Sequence, residues 1–239
     1  MKQQWMALSL SVFVACGVNA SEWDYSAEHG PDNWGQFSAV CETGKNQSPI
    51  NVKETVEADL DKLYIDYQGQ VTGLTNNGHT LQATVSGVNT LNIDGRAFEL
   101  KQFHFHTPSE NLIRSRQHPL EAHFVHADEA GNLAVLAVMF ELGVQNDSIS
   151  KLSETIPTKG QTINLSQSFD TKSLLPSLKN YYRFNGSLTT PPCSEGVRWI
   201  ILRDASSLSE QQTQALTQVM GTNNRPVQDQ NARLVMESD

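Results

Sequence analysis

Cysteine is scarce in this chain of 239 residues: there are three, and Cys16 lies within the first twenty. So few exclude a scaffold held together mainly by disulfides. Long apolar runs are missing too, except from Trp5 to Ala15, which is shorter than the roughly 20 residues that cross a bilayer. No later segment qualifies, which excludes a helical membrane protein. Basic residues are outnumbered, 17 Lys and Arg against 26 Asp and Glu, for a net charge of −9. An acidic surface argues against nucleic acid or anionic membrane as partner. Internal repeats and low-complexity blocks are absent, and so is the regular strand–helix alternation of a doubly wound parallel sheet. What remains, 38% hydrophobic and 18% charged, fits one sizeable domain.

The first feature present is a leader. MKQQWMALSLSVFVACGVNA carries Lys2 as its one charge, then the apolar stretch, then a small-residue Val18-Asn19-Ala20 end. Residues 1–20 therefore read as a secretory signal peptide and 21–239 as the domain, a periplasmic or secreted protein. A lipid anchor at Cys16 fits less well, because Phe13 stands where leucine is expected. Removal of the leader leaves a charge of −10 and two cysteines, Cys41 and Cys193. In an oxidising compartment that pair predicts a disulfide. Cys193 directly follows Thr189-Thr190-Pro191-Pro192.

The middle of the chain reads mostly as strands. Asp94-Gly95 between Thr90–Ile93 and Phe98–His106 is a hairpin signal. Glu121–His126 is a second strand, and Leu133–Phe140 and Val197–Leu202 are continuous apolar runs of buried-strand type. One helix stands out, from Ser209 to Met220, opened by a Ser-x-x-Gln capping pattern and closed by Gly221. The fold class is mainly β, of α+β type, in a single domain.

Five of the seven histidines fall between 104 and 126. In Gln102-Phe-His-Phe-His106, period-2 alternation puts Gln102, His104 and His106 on one face and Phe103 and Phe105 on the other. A third imidazole from Glu121–His126 would complete three neutral ligands, the set that leaves zinc one open position for chemistry. Glu121 shares a face with His123 and can orient its ring, as Gln102 can orient His104. His126 has the opposite parity and reads as a hydrogen-bonded core or supporting histidine. His29 and His118 read as surface residues. His104-x-His106-x3-Glu110 also matches the centre of a cupin metal motif, but Phe98 and Gln117 stand where that motif wants glycine.

Taken in order, Trp23-Asp-Tyr25, Gly30-Pro-Asp-Asn-Trp34, Gln47-Ser-Pro-Ile-Asn51, Asn76-Asn-Gly-His79, Gln102–His106, Glu110, Glu121–His126, Gly186–Pro192 and Asn223-Asn-Arg-Pro226 resemble the α-class carbonic anhydrases across nearly the whole mature chain. The resemblance implies a large central twisted, mostly antiparallel β-sheet with a few short peripheral helices. It implies a zinc lyase: zinc (Zn2+) on His104, His106 and His123, supported by Gln102, Glu121 and the backbone carbonyl of Asn223, hydrating CO2 reversibly to bicarbonate and a proton by hydroxide attack. Thr189, donating to Glu110, would aim the hydroxide. Thr190 would contact bicarbonate, and Val125, Val135, Leu188, Val197 and Trp199 would form the apolar CO2 wall. His79 would carry the proton to solvent through waters ordered by Tyr25, Asn76, Asn77 and Gln82. The partner is a small molecule, CO2 or bicarbonate, and a homodimer is compatible with the resemblance. The other readings are a catalytically silent protein of the same fold and a secreted zinc-binding protein. The first usually lacks a zinc histidine, and the second favours closed or exposed ligand sets.

Overall fold

The unbroken apolar run lies in the strand Leu133–Leu142, which divides its side chains by parity between two cores. Ala134, Leu136, Val138 and Phe140 face a large core that also holds Phe98, Phe103, Phe105 and Phe124. Val135, Ala137 and Met139 face a second core with Phe184, Val197, Trp199 and Ile201. A strand covered on both faces has no polar side to alternate with, which is why the run looks continuous. The strand Glu195–Leu202 behaves likewise and pairs with it in parallel, Val135 opposite Trp199 and Ala137 opposite Ile201.

A computed structural model describes residues 23–238; the leader expected over 1–20, with Cys16, lies outside them. These two strands sit near the middle of a thirteen-stranded sheet. Its main path runs Thr162–Asp170, Gln70–Asn76, Leu81–Ser86, Arg96–His106, Leu120–Ala127, Leu133–Leu142, Glu195–Leu202, Tyr181–Ser187, Met236–Ser238, Val56–Ala58. Along that path the pairs are antiparallel except the one just described and the last. The α-helices among the described residues, Val40–Thr43, Asp147–Ser153 and Glu210–Met220, are short and peripheral.

Asp94 and Gly95 both take positive φ, 53° and 69°, as the tight turn between Asn89–Ile93 and Arg96–His106 requires. The long strand is not regular. Leu100 pairs with His126 and Gln102 with Val125, so two residues oppose one and Lys101 bulges outward. That slip reverses the parity: Phe98 and Leu100 face the large core before it, Phe103 and Phe105 after it. Without the bulge, Gln102, His104 and His106 would share a face with Phe98. The bulge is therefore what turns a histidine face away from the large core.

The helix Glu210–Met220 begins as expected, with the Ser209 side chain and Gln212 satisfying each other's backbone N–H groups. Such a cap contributes about 1 kcal/mol. Gly221, at φ 66°, ends it, and the chain then leads into Asn223 and Arg225. Both are buried at the site described below.

His126 is the core histidine its parity suggests. Nε2 accepts from the Tyr67 hydroxyl at 2.5 Å, and Nδ1 donates to the Ala134 carbonyl at 3.2 Å. Burial, partly offset by that carbonyl, pushes its pKa down to about 4. An unfolded chain takes up this proton near pH 6.5, so the contribution to stability is complete above that and is lost as pH falls toward 4. Over that window it amounts to about 3 kcal/mol. Urea unfolding at pH 7 and pH 4 should show a correspondingly shallower pH dependence in His126→Gln; equal slopes would refute the assignment.

Candidate active site

Pairing of Arg96–His106 with Leu120–Ala127 sets His104 opposite His123 and His106 opposite Glu121. Three imidazoles thus meet on the bulge-exposed face, each offering one ring nitrogen, with the three nitrogens within 4.8 Å of one another. The far side of each ring meets an oxygen. His104 Nδ1 lies 2.9 Å from Gln102 Oε1, and His106 Nδ1 donates to the Asn223 carbonyl at 2.8 Å. His123 Nε2 is 2.9 Å from Glu121 Oε1, at bonding distance but off the N–H direction. Oxygens at Nδ1 place the proton there and leave Nε2 of His104 and His106 as lone pairs.

Burial pushes all three imidazoles below their usual pKa, helped at His104 and His123 by repulsion from neighbouring histidines. The neutral form that metal ligation requires is therefore favoured. His106 Nε2 is buried without a hydrogen-bond partner. A buried ring nitrogen without a partner, close to one nitrogen from each of the other two histidines, is what a zinc site with three protein ligands and one open position would leave, so the residues present fit such an ion.

Two buried carboxylates stand behind the triad. Glu121 Oε2 accepts from the backbone N–H groups of Glu110 and Asn111, at 2.7 and 2.9 Å, and Oε1 from Asn111 Nδ2 at 2.7 Å. Glu110 Oε1 accepts from the Arg225 N–H at 2.8 Å. Burial pushes the Glu110 carboxyl well above the usual range, opposed by that N–H, the Thr189 hydroxyl and the Arg225 charge. Thr189 thus lies within influence of Glu110, although Oε2 has no aligned partner.

Thr189 and Thr190 stand on a loop tied down at several points. The predicted bridge is present, Cys41 to Cys193, 152 residues apart in sequence. Ser38 Oγ donates to the Pro192 carbonyl and Gln47 Nε2 to the Cys193 carbonyl. The buried Arg225 guanidinium bonds Gln47 Oε1 and the carbonyls of Ser48 and Cys41. The loop, the bridge and Glu110 therefore share one hydrogen-bonded frame.

Beside the histidines, Val125 pairs with Val135 and Val135 with Trp199, giving an apolar row one step along the sheet. Val197 lies in the same core, with Leu188 and Val125 packed partly buried against it. The Trp199 ring meets His123 edge-on at 4.9 Å.

A cleft of about 160 Å³ opens onto His104 and His106, lined by Tyr25, Asn77, His79, Gln82, Gln102 and Thr190, with Trp23 and Thr80 as additions that sequence reasoning missed. Trp23 stacks on His79 at 3.9 Å, 17° from parallel. Asn76 does not line this cleft: its carboxamide accepts from Gly78 N–H and donates to the Pro157 carbonyl. One expectation is corrected. His118 is buried, not a surface residue, because its N–H donates to Ser109 Oγ and its carbonyl accepts from the Ser109 N–H, pinning it inside. His29 is half-buried against Phe37.

The family model of eukaryotic-type carbonic anhydrases matches residues 29–239. A carbonic anhydrase of Neisseria gonorrhoeae is 46% identical over 224 residues, covering 92% of this chain and 89% of that protein. Among solved structures, an alpha-carbonic anhydrase of Photobacterium profundum superposes with a TM-score of 0.89 at 55% identity, covering 90% of this chain and all of that one. The Thermovibrio ammonificans alpha-carbonic anhydrase, solved with the inhibitor sulfanilamide, gives 0.87 at 44% identity, over 90% and 98% of the two chains.

Proposed function

The chain belongs to the eukaryotic-type, or α, carbonic anhydrase family and hydrates carbon dioxide to bicarbonate and a proton; we propose that it does so with one zinc ion held by His104, His106 and His123. The observation that carries this reading is the trio of buried ring nitrogens within 4.8 Å, each ring backed by an oxygen. Zinc supplies a Lewis acid that makes hydroxide available from water near neutral pH, and its charge favours an ionised Glu110.

The chain's own residues then direct the reaction. An ionised Glu110 can only accept, so the Thr189 hydroxyl gives its proton to that hydrogen bond. Its lone pairs are left to accept the hydrogen of the attacking hydroxide, which turns the hydroxide's own lone pair toward CO2. Val125, Val135, Leu188, Val197 and Trp199 offer an apolar wall to an uncharged substrate, and Thr190 meets the bicarbonate formed. His79 takes the released proton through waters held by Tyr25, Asn77 and Gln82, and hands it to buffer. Asn76 acts through the turn that presents His79.

No described helix is long and apolar enough to cross a membrane. With residues 1–20 as a cleaved leader, the mature protein works in the periplasm or outside the cell, where the Cys41–Cys193 bridge persists. Metal analysis paired with a CO2 hydration assay on residues 21–239 should find one zinc per chain, with activity lost on chelation and restored by zinc. Full activity in thoroughly chelated protein would refute the metal reading.

A further inference from the structure

Asn223 is fully buried, and its main chain and side chain serve different partners. The carbonyl accepts from His106 Nδ1 at 2.8 Å. The carboxamide does more: Oδ1 accepts from Thr107 N–H at 2.7 Å, while Nδ2 donates to the carbonyls of Phe105 and His79, each at 3.0 Å. Phe105 and Thr107 flank His106 in the chain, at the end of the strand Arg96–His106. His79 sits 144 residues earlier in the chain, on the turn at the mouth of the cleft. A carboxamide that spends both donors and its acceptor on three fixed backbone groups acts as a clamp.

We propose that the Asn223 side chain is a positioning residue for proton removal, locking the peptide beneath His79 to the strand that carries His104 and His106. This rests on His79 being the proton carrier. The peptide plane between His79 and Thr80 is held at both ends, its carbonyl by Asn223 and its N–H by Asn77 Oδ1 at 2.9 Å. Asn77 also accepts from the His79 N–H, so it shapes the turn without attaching it to the sheet. Thr80 Oγ1 donates to the Phe105 carbonyl at 2.6 Å and secures the following residue. Asn223 joins the peptide of His79 itself to the segment on either side of His106. The imidazole's distance from the site is then fixed by a short route through one side chain, with Trp23 holding the ring from its flank.

The test separates clamp from ligand support. Asn223→Ala keeps the carbonyl that faces His106 and deletes the clamp. In weak buffer its kcat should fall by up to about a hundredfold, the scale that a misplacement of about 1 Å can cost. Added imidazole should restore it, and kcat/KM should fall far less. In a His79→Ala background the same substitution should cost nothing further. Asn223→Asp, which keeps the shape and the Thr107 bond but cannot donate to His79, should behave alike if the alanine variant folds poorly. Independently of activity, the His79 ring protons, displaced in NMR spectra by the Trp23 ring current, should move toward free-imidazole positions in both variants, zinc-loaded or zinc-free. Equal losses in kcat and kcat/KM with zinc release, or unmoved His79 resonances, would overturn the clamp. A slowed His79→Ala beside an unimpaired Asn223→Ala would overturn only the clamp. A His79→Ala enzyme of wild-type rate in weak buffer would overturn the proton-carrier reading and the clamp with it.

Discussion

Replacing His123 with alanine is expected to abolish zinc retention and lower CO2 hydration by at least about a thousandfold, since the reaction depends on hydroxide that the ion makes available. His123 is 2% exposed and faces Glu110 and Glu121. Its removal leaves two ring nitrogens where three converge. The fold should survive, because the next residue, Phe124, and the rest of the large core lie on the opposite face of the strand. Glu121→Gln provides a graded comparison: all ligands remain but the oxygen behind His123 is weakened, so zinc affinity should fall about 10- to 100-fold. Mass spectrometry under native conditions, read beside the hydration rate, checks both variants. A His123→Ala protein that keeps a full complement of zinc and a normal rate would remove His123 from the site.

Much of this site could be read from local pattern, and the limits of that reading are physical. The hairpin at Asp94-Gly95 was legible because positive φ at both turn residues leaves a chemical signature. The face shared by Gln102, His104 and His106 was legible because strand parity is strict over five residues. The bulge at Lys101 left no comparable mark: it is decided by which phenylalanines reach the large core, a cross-strand matter. The parallel pairing of Leu133–Leu142 with Glu195–Leu202 was equally hidden, since a run buried on both faces looks the same in either direction. Glu110, Thr189, Asn223 and Arg225 meet across 79 to 115 residues of chain from Glu110, and no periodicity links them. They became visible through family resemblance, not through pattern. His118 was misjudged because its burial comes from backbone bonds to Ser109, which side-chain chemistry does not announce.

The direction of one hydrogen bond yields the other large effect. Thr189→Ala should lower kcat/KM on the order of a hundredfold, the scale seen when one oriented group is removed from a reacting centre, while Thr189→Ser should retain most activity. Glu110→Gln is the sharper probe because it is nearly isosteric. The introduced carboxamide can still accept from the Arg225 N–H with its oxygen, which turns its NH2 group toward Thr189. Thr189 must then accept where it had donated, and its proton points at the hydroxide instead of its lone pair. The loss should match that of Thr189→Ala, appear in kcat/KM, and resist rescue by imidazole, unlike a defect at His79. The double variant should be no worse than either single one, because both break the same relay. Burial alone raises the Glu110 carboxyl toward its protonated form, and glutamine mimics that form. A fully active Glu110→Gln enzyme would therefore mean that a neutral Glu110 suffices and that Thr189 does not need an acceptor to aim the attack.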